Sequence, residues 1–515
     1  MCKSITKNWR YIAILVVIVL IGLLVRLPEF RTVIPGQIDS SKVIWFDEAL
    51  SIHYASLDFE SLFNILKFDS SPPLFYLLLW LWQNIFGSSL TTLVLLPFIF
   101  SLASIVSVFY LAKEIFNKKI GLLASLFFSL SALNISYATE LRTYSLLVFL
   151  VSLSMLFGWK GWQHNRNRDW ILYIVFTLLS LYSHYTAIVY LAIWFVLLLF
   201  FNHHKWQKIL SVHSPIFLLY VPQFLYFSRW QDLWAGDSRL TPFFQRTFSH
   251  GGYQEFLLYL KSLVFGKIYL ADYSLLLGGF VFLLLVSITA YFWSERKMRF
   301  LFFLILGGYV GLAILKWVYV PKYFIIFTIP VVIFIASALF QIKNLLLKIG
   351  AFILIMILFS ITVNANRATS IQDQFLFYAP SAYEFIEQNE QPGDLILTDH
   401  FNDLSLPHYY HGDSEVELFM PYENNLATAD QRWRYWDYNV MTEENVGLVQ
   451  GLIENNQRVW FFNYLPQSSG VQDPSGYLVN YLKENLNPVK YYYFPDNSEA
   501  VQKVELILFE KNVID

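Results

Sequence analysis

Five short stretches in an otherwise apolar first two-thirds of the chain carry polar residues whose types could do chemistry. Asp47 and Glu48 stand side by side in Trp45-Phe46-Asp47-Glu48-Ala49, and Asp69 and Ser71 lead into Pro72-Pro73-Leu74. Glu140, Arg142 and Tyr144 lie in Tyr137–Tyr144, His184 in Ser183-His184-Tyr185, and Lys322 and Tyr323 follow Pro321. Carboxylates in so aromatic a setting are costly unless they are paired or used. Acids of this kind can take a proton from a hydroxyl, and Arg, His and Lys can hold an anionic leaving group. Gathered in one cavity, they suit transfer of a group from a membrane-bound phosphate donor. Singly, each has a plain structural reading. Glu140 with Arg142 makes an interfacial pair, His184 caps a helix end, Lys322 snorkels and Tyr323 joins an aromatic belt. Residue types alone leave open which group is moved.

The elements that must position these residues follow from composition. Of 515 residues, 56% are hydrophobic, 19% aromatic and only 14% charged, against about 25% charged in an ordinary soluble protein. Disorder and collagen-like structure are excluded, and one cysteine excludes a disulfide scaffold. Apolar runs near 11–27, 90–112, 120–136, 143–159, 170–184, 185–201, 209–227, 273–293, 299–316, 321–340 and 345–363 approach the roughly 20 residues that a bilayer-spanning helix needs. The first has a basic flank (Lys3, Lys7, Arg10) and no small-residue cleavage site after it, which reads as a retained signal anchor.

With the N-terminus inside, the internal loops hold Lys113, Lys118, Lys119, Lys160, Arg166, Arg168, Lys205, Lys208, Arg296, Lys297, Arg299, Lys343 and Lys348 against Glu114, Asp169 and Glu295. That asymmetry follows the positive-inside rule. The apolar stretch Pro72–Phe86 is too short for a crossing and would invert every later loop, so it is expected to lie in the outer leaflet. All five chemical stretches then fall on the external side, the first two in a loop over 28–72.

The formal net charge of −2 hides two halves. Residues 364–515 hold 23 acids and 8 bases, whereas residues 1–363 hold 15 acids and 28 bases. The expected architecture is an α-helical polytopic membrane domain over 1–363, with about eleven spans and an interfacial helix, followed by an extracytoplasmic soluble α/β domain over 364–515. In that tail a helix near 380–390 precedes a Pro-Gly-Asp turn and the strand Leu395–Leu397. A helix near 443–455 leads into the strand Arg458–Asn463, and β-rich runs lie at 488–494 and 501–510. The scattered basic charge offers no stripe for nucleic acid, and no residue cluster has clear metal-ligand spacing.

Four runs come in the order and spacing of a known family: Trp45-Phe46-Asp47-Glu48-Ala49-Leu50-Ser51, Asp69-Ser70-Ser71-Pro72-Pro73-Leu74-Phe75-Tyr76, Glu140-Leu141-Arg142-Thr143-Tyr144-Ser145 and Ser183-His184-Tyr185. The turn Pro321-Lys322-Tyr323 follows later and matches a further motif of that family. Over about residues 10–345 the chain resembles the GT-C superfamily of integral-membrane glycosyltransferases. The similar branch holds the protein O-mannosyltransferases, the lipid A aminoarabinose transferase and bacterial relatives of undefined acceptor. The resemblance implies a polyprenyl-phosphate sugar as donor and a lipid, glycan or protein as acceptor, with transfer at the external face of a bacterial inner membrane. It implies Asp47 as general base, with Glu48 beside it, and Arg142 and Lys322 as holders of the phosphate. Asp69, Ser71, Glu140, Tyr144, His184 and Tyr323 are the further substrate-contacting candidates. Relatives commonly place His or Lys where this chain has Ser71, which carries no positive charge. Metal dependence varies across the superfamily, so a divalent cation is compatible and none is assigned. The competing readings are a transporter or lipid flippase, which ordinarily shows internal repeats and midplane polar residues, and a non-catalytic envelope assembly protein acting through its external domain.

Overall fold

Each of the eleven apolar runs carries a helix in the computed structural model. It describes residues 2–31, 44, 46–66, 71–235, 253–266, 274–315, 321–372, 378–398, 406, 409–419, 443, 446–465, 476–494 and 503–511. In chain order the helices are α1 (Cys2–Arg31), α2 (Phe46–Ser56), α3 (Phe59–Leu66), α4 (Leu74–Phe86), α5 (Leu90–Ile115), α6 (Lys118–Ser129), α7 (Ala132–Ser136), α8 (Tyr144–His164), α9 (Asn167–Leu181) and α10 (Thr186–Phe201). They continue with α11 (Trp206–Ala235), α12 (Tyr253–Phe265), α13 (Ser274–Tyr291), α14 (Arg296–Ile314), the 3-10 segment Pro321–Phe327, α15 (Thr328–Gln341) and α16 (Leu345–Gln372).

Among the described residues, six segments are long and apolar enough to cross a membrane: Trp9–Glu29, Leu90–Ile115, Tyr144–His164, Arg296–Ile314, Pro321–Gln341 and Leu345–Asn366. The 13 residues of α4 reach only about 20 Å as helix, short of a hydrocarbon core of about 30 Å. Outward faces are apolar: Ile12, Val16, Leu20 and Leu24 on α1, and Leu346, Ile353, Ile357 and Ile361 on α16, are exposed. Surface of this kind belongs in lipid rather than water. The chain is an integral membrane protein.

Inside the bundle, small residues let helices approach. A Cβ on Gly158 or Gly161 of α8 would meet the rings of Tyr173 and Trp170 on α9 at 2.9 and 2.7 Å, the close packing small residues permit between membrane helices. Hydroxyls add directional contacts, with Ser154 bonded to Thr177 at 2.7 Å and to Tyr190 at 3.0 Å. The run expected as one span over 120–136 is broken between α6 and α7 at Leu130 and Ser131. Ser125 and Ser129 donate their hydroxyls to the carbonyls of Leu122 and Leu126, and such back-bonding bends helices. The buried Arg26 of α1 is bonded across that break. Its Nε donates to the Ser101 hydroxyl at 2.9 Å, and its Nη1 donates to the carbonyls of Ser129 at 2.8 Å and Gly22 at 3.1 Å. A guanidinium at the C-terminus of α6 also meets the negative end of that helix.

The chain divides into two compact units, one of residues 1–41 and 69–371, the other of residues 42–68 and 372–515. Helices α2 and α3, which lie in the first loop by sequence, therefore belong to the same unit as the tail.

The tail contains α17 (Tyr378–Asn389), β1 (Asp394–Thr398), β2 (Glu415–Leu418), α18 (Gln450–Asn455), β3 (Arg458–Leu465), α19 (Tyr477–Asn485), β4 (Leu486–Phe494) and β5 (Lys503–Lys511). They form one five-stranded sheet in the order β2-β1-β3-β5-β4. β1 pairs parallel with both β2 and β3, whereas β5 pairs antiparallel with both β3 and β4. Alternation explains the layers. Leu395, Leu397, Val459, Phe461, Ile507 and Phe509 face a core shared with α18 and α19. Ile396, Trp460, Phe462, Leu506 and Leu508 face Ala382, Tyr383 and Ile386 of α17. Strands covered on both faces read as continuous apolar runs, which is why these three are visible in the sequence. β2 has an exposed Glu415 and no such run, and the sequence pattern assigns no strand there.

Candidate active site

In the membrane unit, four turns carry the expected residues to one place. The first is the start of α4, where Ser71 precedes two prolines; the Leu74 N–H donates to the Tyr182 carbonyl at 3.0 Å, tying this turn to the one between α9 and α10. The second connects α7 to α8 and holds Glu140, Arg142 and Thr143; the Thr143 hydroxyl donates to the Ser183 carbonyl at 3.0 Å. The third is 182–185, with His184. The fourth is the 3-10 segment Pro321–Phe327, whose first turn places Lys322 and Tyr323 before α15 begins.

The polar groups of these turns meet. Arg142 donates from Nη1 to the Tyr76 hydroxyl of α4 at 2.8 Å, and its guanidinium carbon lies 5.9 Å from that ring's centroid. The Arg142 N–H donates to the carbonyl of Glu140, a buried residue, at 2.7 Å. The His184 ring lies 5.6 Å from Tyr144 on one side and 5.6 Å from Tyr323 on the other, centroid to centroid. The Lys322 ammonium stands 5.7 Å from the Tyr144 ring and 5.9 Å from the Tyr323 ring, within reach for cation–π attraction.

His184 is held in a defined state. Its Nδ1 accepts the Thr186 backbone N–H at 3.1 Å, capping the first turn of α10. An accepting Nδ1 leaves the ring proton on Nε2. Desolvation, reinforced by the positive charges of Arg142 and Lys322, pushes this imidazole down to about 3. The cluster thus holds two cations, one neutral imidazole with an N–H to donate, and tyrosine rings. Cations and an N–H donor can hold an anion, and aromatic faces can stack against carbon–hydrogen groups.

Asp47 and Glu48 belong to the other unit, in the first turn of α2, where carboxylates are favoured by the helix dipole. Glu48 is buried and Asp47 half-buried. The Ser51 hydroxyl donates to the Asp47 carbonyl at 2.9 Å. Just before the helix, the buried Ile44 donates its N–H to the Tyr409 hydroxyl at 2.6 Å. Burial pushes the Tyr409 phenol upward, and the Glu48 charge adds to that, while the bond from Ile44 opposes it.

Of the ten expected residues, the structure brings Arg142, Tyr144, His184, Lys322 and Tyr323 together, with Glu140 and Ser71 on the same turns. Asp47 and Glu48 are neighbours on α2, and Asp69 lies outside the described residues. No group of three or more His, Cys, Asp or Glu among the described residues could hold a metal ion. Two residues escape the sequence pattern. Tyr76 sits in the Asp69–Tyr76 run without standing out, because its value lies in an arginine 66 positions away. Lys261 is a buried lysine on α12, a helix that the hydropathy of the chain leaves unassigned. The signal is nonetheless present: a lone cation in an apolar 13-residue segment with helical spacing.

Residues 70–230 match the family model described as dolichyl-phosphate-mannose-protein mannosyltransferase. That range includes Ser71, Tyr76, Glu140, Arg142, Tyr144 and His184, and stops short of Lys322. No curated protein matches the chain in sequence. Among solved structures, ArnT from Cupriavidus metallidurans in the apo state is similar over 98% of each chain, with TM-score 0.57 and 13% identity. The same protein bound to undecaprenyl phosphate is similar over 96% of this chain and 97% of that one, with TM-score 0.56 and 13% identity. The Archaeoglobus fulgidus oligosaccharyltransferase tethered to an acceptor peptide is similar over 95% of this chain and 73% of that one, with TM-score 0.51 and 14% identity. Over residues 70–230 the chain is similar in sequence to that mannosyltransferase family, and over nearly its whole length it shares the fold of these solved structures.

Proposed function

We propose that this protein is a membrane glycosyltransferase that moves a sugar from a polyprenyl-phosphate-linked donor to an acceptor hydroxyl at the extracytoplasmic face. The observation that carries this reading is the cluster of Arg142, Lys322 and the neutral His184 among Tyr76, Tyr144 and Tyr323. Two cations and an imidazole N–H suit a lipid phosphate, and the rings suit a sugar face. The complex of Cupriavidus metallidurans ArnT with undecaprenyl phosphate supports a donor of that class.

In this reading Asp47 accepts the acceptor's hydroxyl proton as the oxygen attacks the anomeric carbon. The bond from that carbon to the phosphate oxygen breaks, and its electron pair leaves on the phosphate. Arg142 and Lys322 stabilise the charge that grows there, Arg as a planar fork and Lys as a point charge. A phosphate leaves as an anion, so no strong general acid is needed, and a single displacement by the acceptor oxygen inverts the anomeric centre. Glu48 and Asp69 orient the base or a sugar hydroxyl, and Ser71, Glu140, Tyr144 and Tyr323 contact the donor. The acceptor is a lipid, glycan or protein hydroxyl. The positive-inside loops support a cytoplasmic N-terminus and an extracytoplasmic tail, and the family resemblance supports a bacterial inner membrane.

The test is reconstitution into liposomes with a panel of polyprenyl-phosphate sugars, comparing wild type with Asp47→Asn. Turnover should fall by about 10²–10⁴ in the variant. Wild-type turnover by Asp47→Asn would end the general-base assignment.

A further inference from the structure

Residues 42–68 form one compact unit with the tail, and the contact at the start of α2 is specific. Ile44 is buried, so its N–H must find an acceptor within the protein. The acceptor is the Tyr409 hydroxyl at 2.6 Å, from a residue 365 positions later. Three residues after Ile44 stands Asp47.

Tyr409 is itself held firmly. Its backbone N–H donates to the Leu406 carbonyl at 2.9 Å, and its ring packs against the core formed by α17 and the sheet. The next residues close around one carboxylate, Glu390, at the end of α17. Glu390 accepts from the Tyr410 hydroxyl, from the Asp413 N–H at 3.0 Å, from the Ser414 N–H at 3.2 Å and from the Ser414 hydroxyl. The loop passes so near that a Cβ on Gly412 would lie 2.2 Å from Glu390 Oε1. A carboxylate accepting several N–H and O–H bonds makes a stiff loop. The path runs from the sheet core through α17, Glu390 and the 409–414 loop to the backbone that begins α2.

From this geometry we infer that Tyr409, braced by Glu390, is a positioning residue that fixes the first turn of α2, and with it the Asp47 carboxylate. The inference rests on the reading of Asp47 as general base. It assigns the tail a part in the chemical step rather than in acceptor choice alone. A base must lie within about 0.5 Å of its productive position, and a helix start on a long loop reaches that precision only when another element holds it.

The experiment uses the full-length protein in liposomes, with the same polyprenyl-phosphate sugar panel. Tyr409→Phe keeps the ring and removes the acceptor. It should lower kcat by about three- to tenfold while the donor KM stays within about twofold, and it should lower turnover no further in the Asp47→Asn background, where no base remains to be aimed. Hydrogen exchange gives a readout independent of activity: amides of 44–51 should exchange faster in Tyr409→Phe, and those of α8 and α9 should not. Glu390→Gln should shift the same amides in the same direction, and serves if Tyr409→Phe fails to fold. Unchanged exchange at 44–51, or the same fractional loss of turnover with and without Asp47, would overturn the inference. Wild-type turnover by Asp47→Asn with faster exchange at 44–51 in Tyr409→Phe would instead overturn the general-base reading alone.

Discussion

Arg142 reaches across 66 residues of chain to donate to the Tyr76 hydroxyl at 2.8 Å, which fixes one arm of its guanidinium against α4. A fork held by a neighbour loses less freedom when it binds an anion than one that swings in solvent. Arg142→Lys cannot reproduce both the tyrosine bond and a planar contact to phosphate. Its kcat/KM for the lipid-linked donor should fall by about 10²–10³, comparable to loss of one preorganised charge-stabilising donor. Tyr76→Phe removes only the brace and should cost up to about tenfold. Steady-state kinetics in liposomes measure both, and equal losses in the two variants would mean that the arginine acts only through Tyr76.

His184 should contribute no limb near neutrality to the pH–rate profile, because its imidazole is pushed down to about 3 and stays uncharged from pH 5 to 8. Stability carries the opposite signature. Between the ordinary histidine value of 6.5 and the folded value, the unfolded chain binds the extra proton, so folding weakens as pH falls through that window. His184→Asn keeps both the cap to Thr186 and an N–H donor, and should lack this acid sensitivity. His184→Ala loses the cap and should melt lower at every pH. Thermal melts from pH 4 to 8 compare the three proteins.

Glu390 has a dependence of the same sign in a lower pH window. Burial acts to raise its carboxyl, but the bonds from Ser414, Tyr410 and Asp413 hold it below its ordinary 4.5. A depressed carboxylate contributes stability above the unfolded value, and that contribution is lost as pH falls through the folded one. Wild type should therefore outlast Glu390→Gln in denaturation at pH 7. The gap should close below about pH 4.5. A gap that does not narrow as pH falls below 4.5 would assign the effect to shape rather than charge.

Arg26 gives a prediction about the bundle alone. Arg26→Ala removes a fully buried side chain and the donors that satisfy Ser101 and the Ser129 carbonyl. By analogy with other large buried truncations it should cost about 2–5 kcal/mol. Arg26→Met refills most of the volume and avoids a buried charge, so it should recover part of that loss. Differential scanning in detergent distinguishes them.

Much of the fold was legible because lipid and water impose strong local rules. Runs such as Leu90–Ile115 and Leu345–Asn366 are apolar over a length that only a bilayer explains. The tail's central strands were legible for a related reason, since Leu395–Leu397 and Val459–Phe462 are apolar on both faces. The break between α6 and α7 was hidden, because hydropathy is blind to a backbone interruption whose carbonyl is satisfied by Arg26 from another helix.

The candidate site was legible in part. Arg142, His184 and Lys322 were visible as scarce polar groups at the ends of apolar runs, and chemistry plus family likeness singled them out. Their partners were not. Tyr76, Tyr409 and Glu390 look like ordinary residues of an aromatic or acidic stretch, and only packing shows what they hold.

The sequence by itself determined that this chain lives in a bilayer, which apolar runs carry its long helices, and which charges are scarce among them. These follow from the free energy of moving each side chain between water and hydrocarbon, a property of local composition. Tertiary structure alone decided that His184 sits between Tyr144 and Tyr323, that Arg142 is bonded to Tyr76, and that Ile44, just before the helix of Asp47, donates its N–H to a tyrosine from the tail. Such pairings depend on which chain ends meet when helices and strands pack, and contacts between residues hundreds of positions apart leave no mark on hydropathy or spacing.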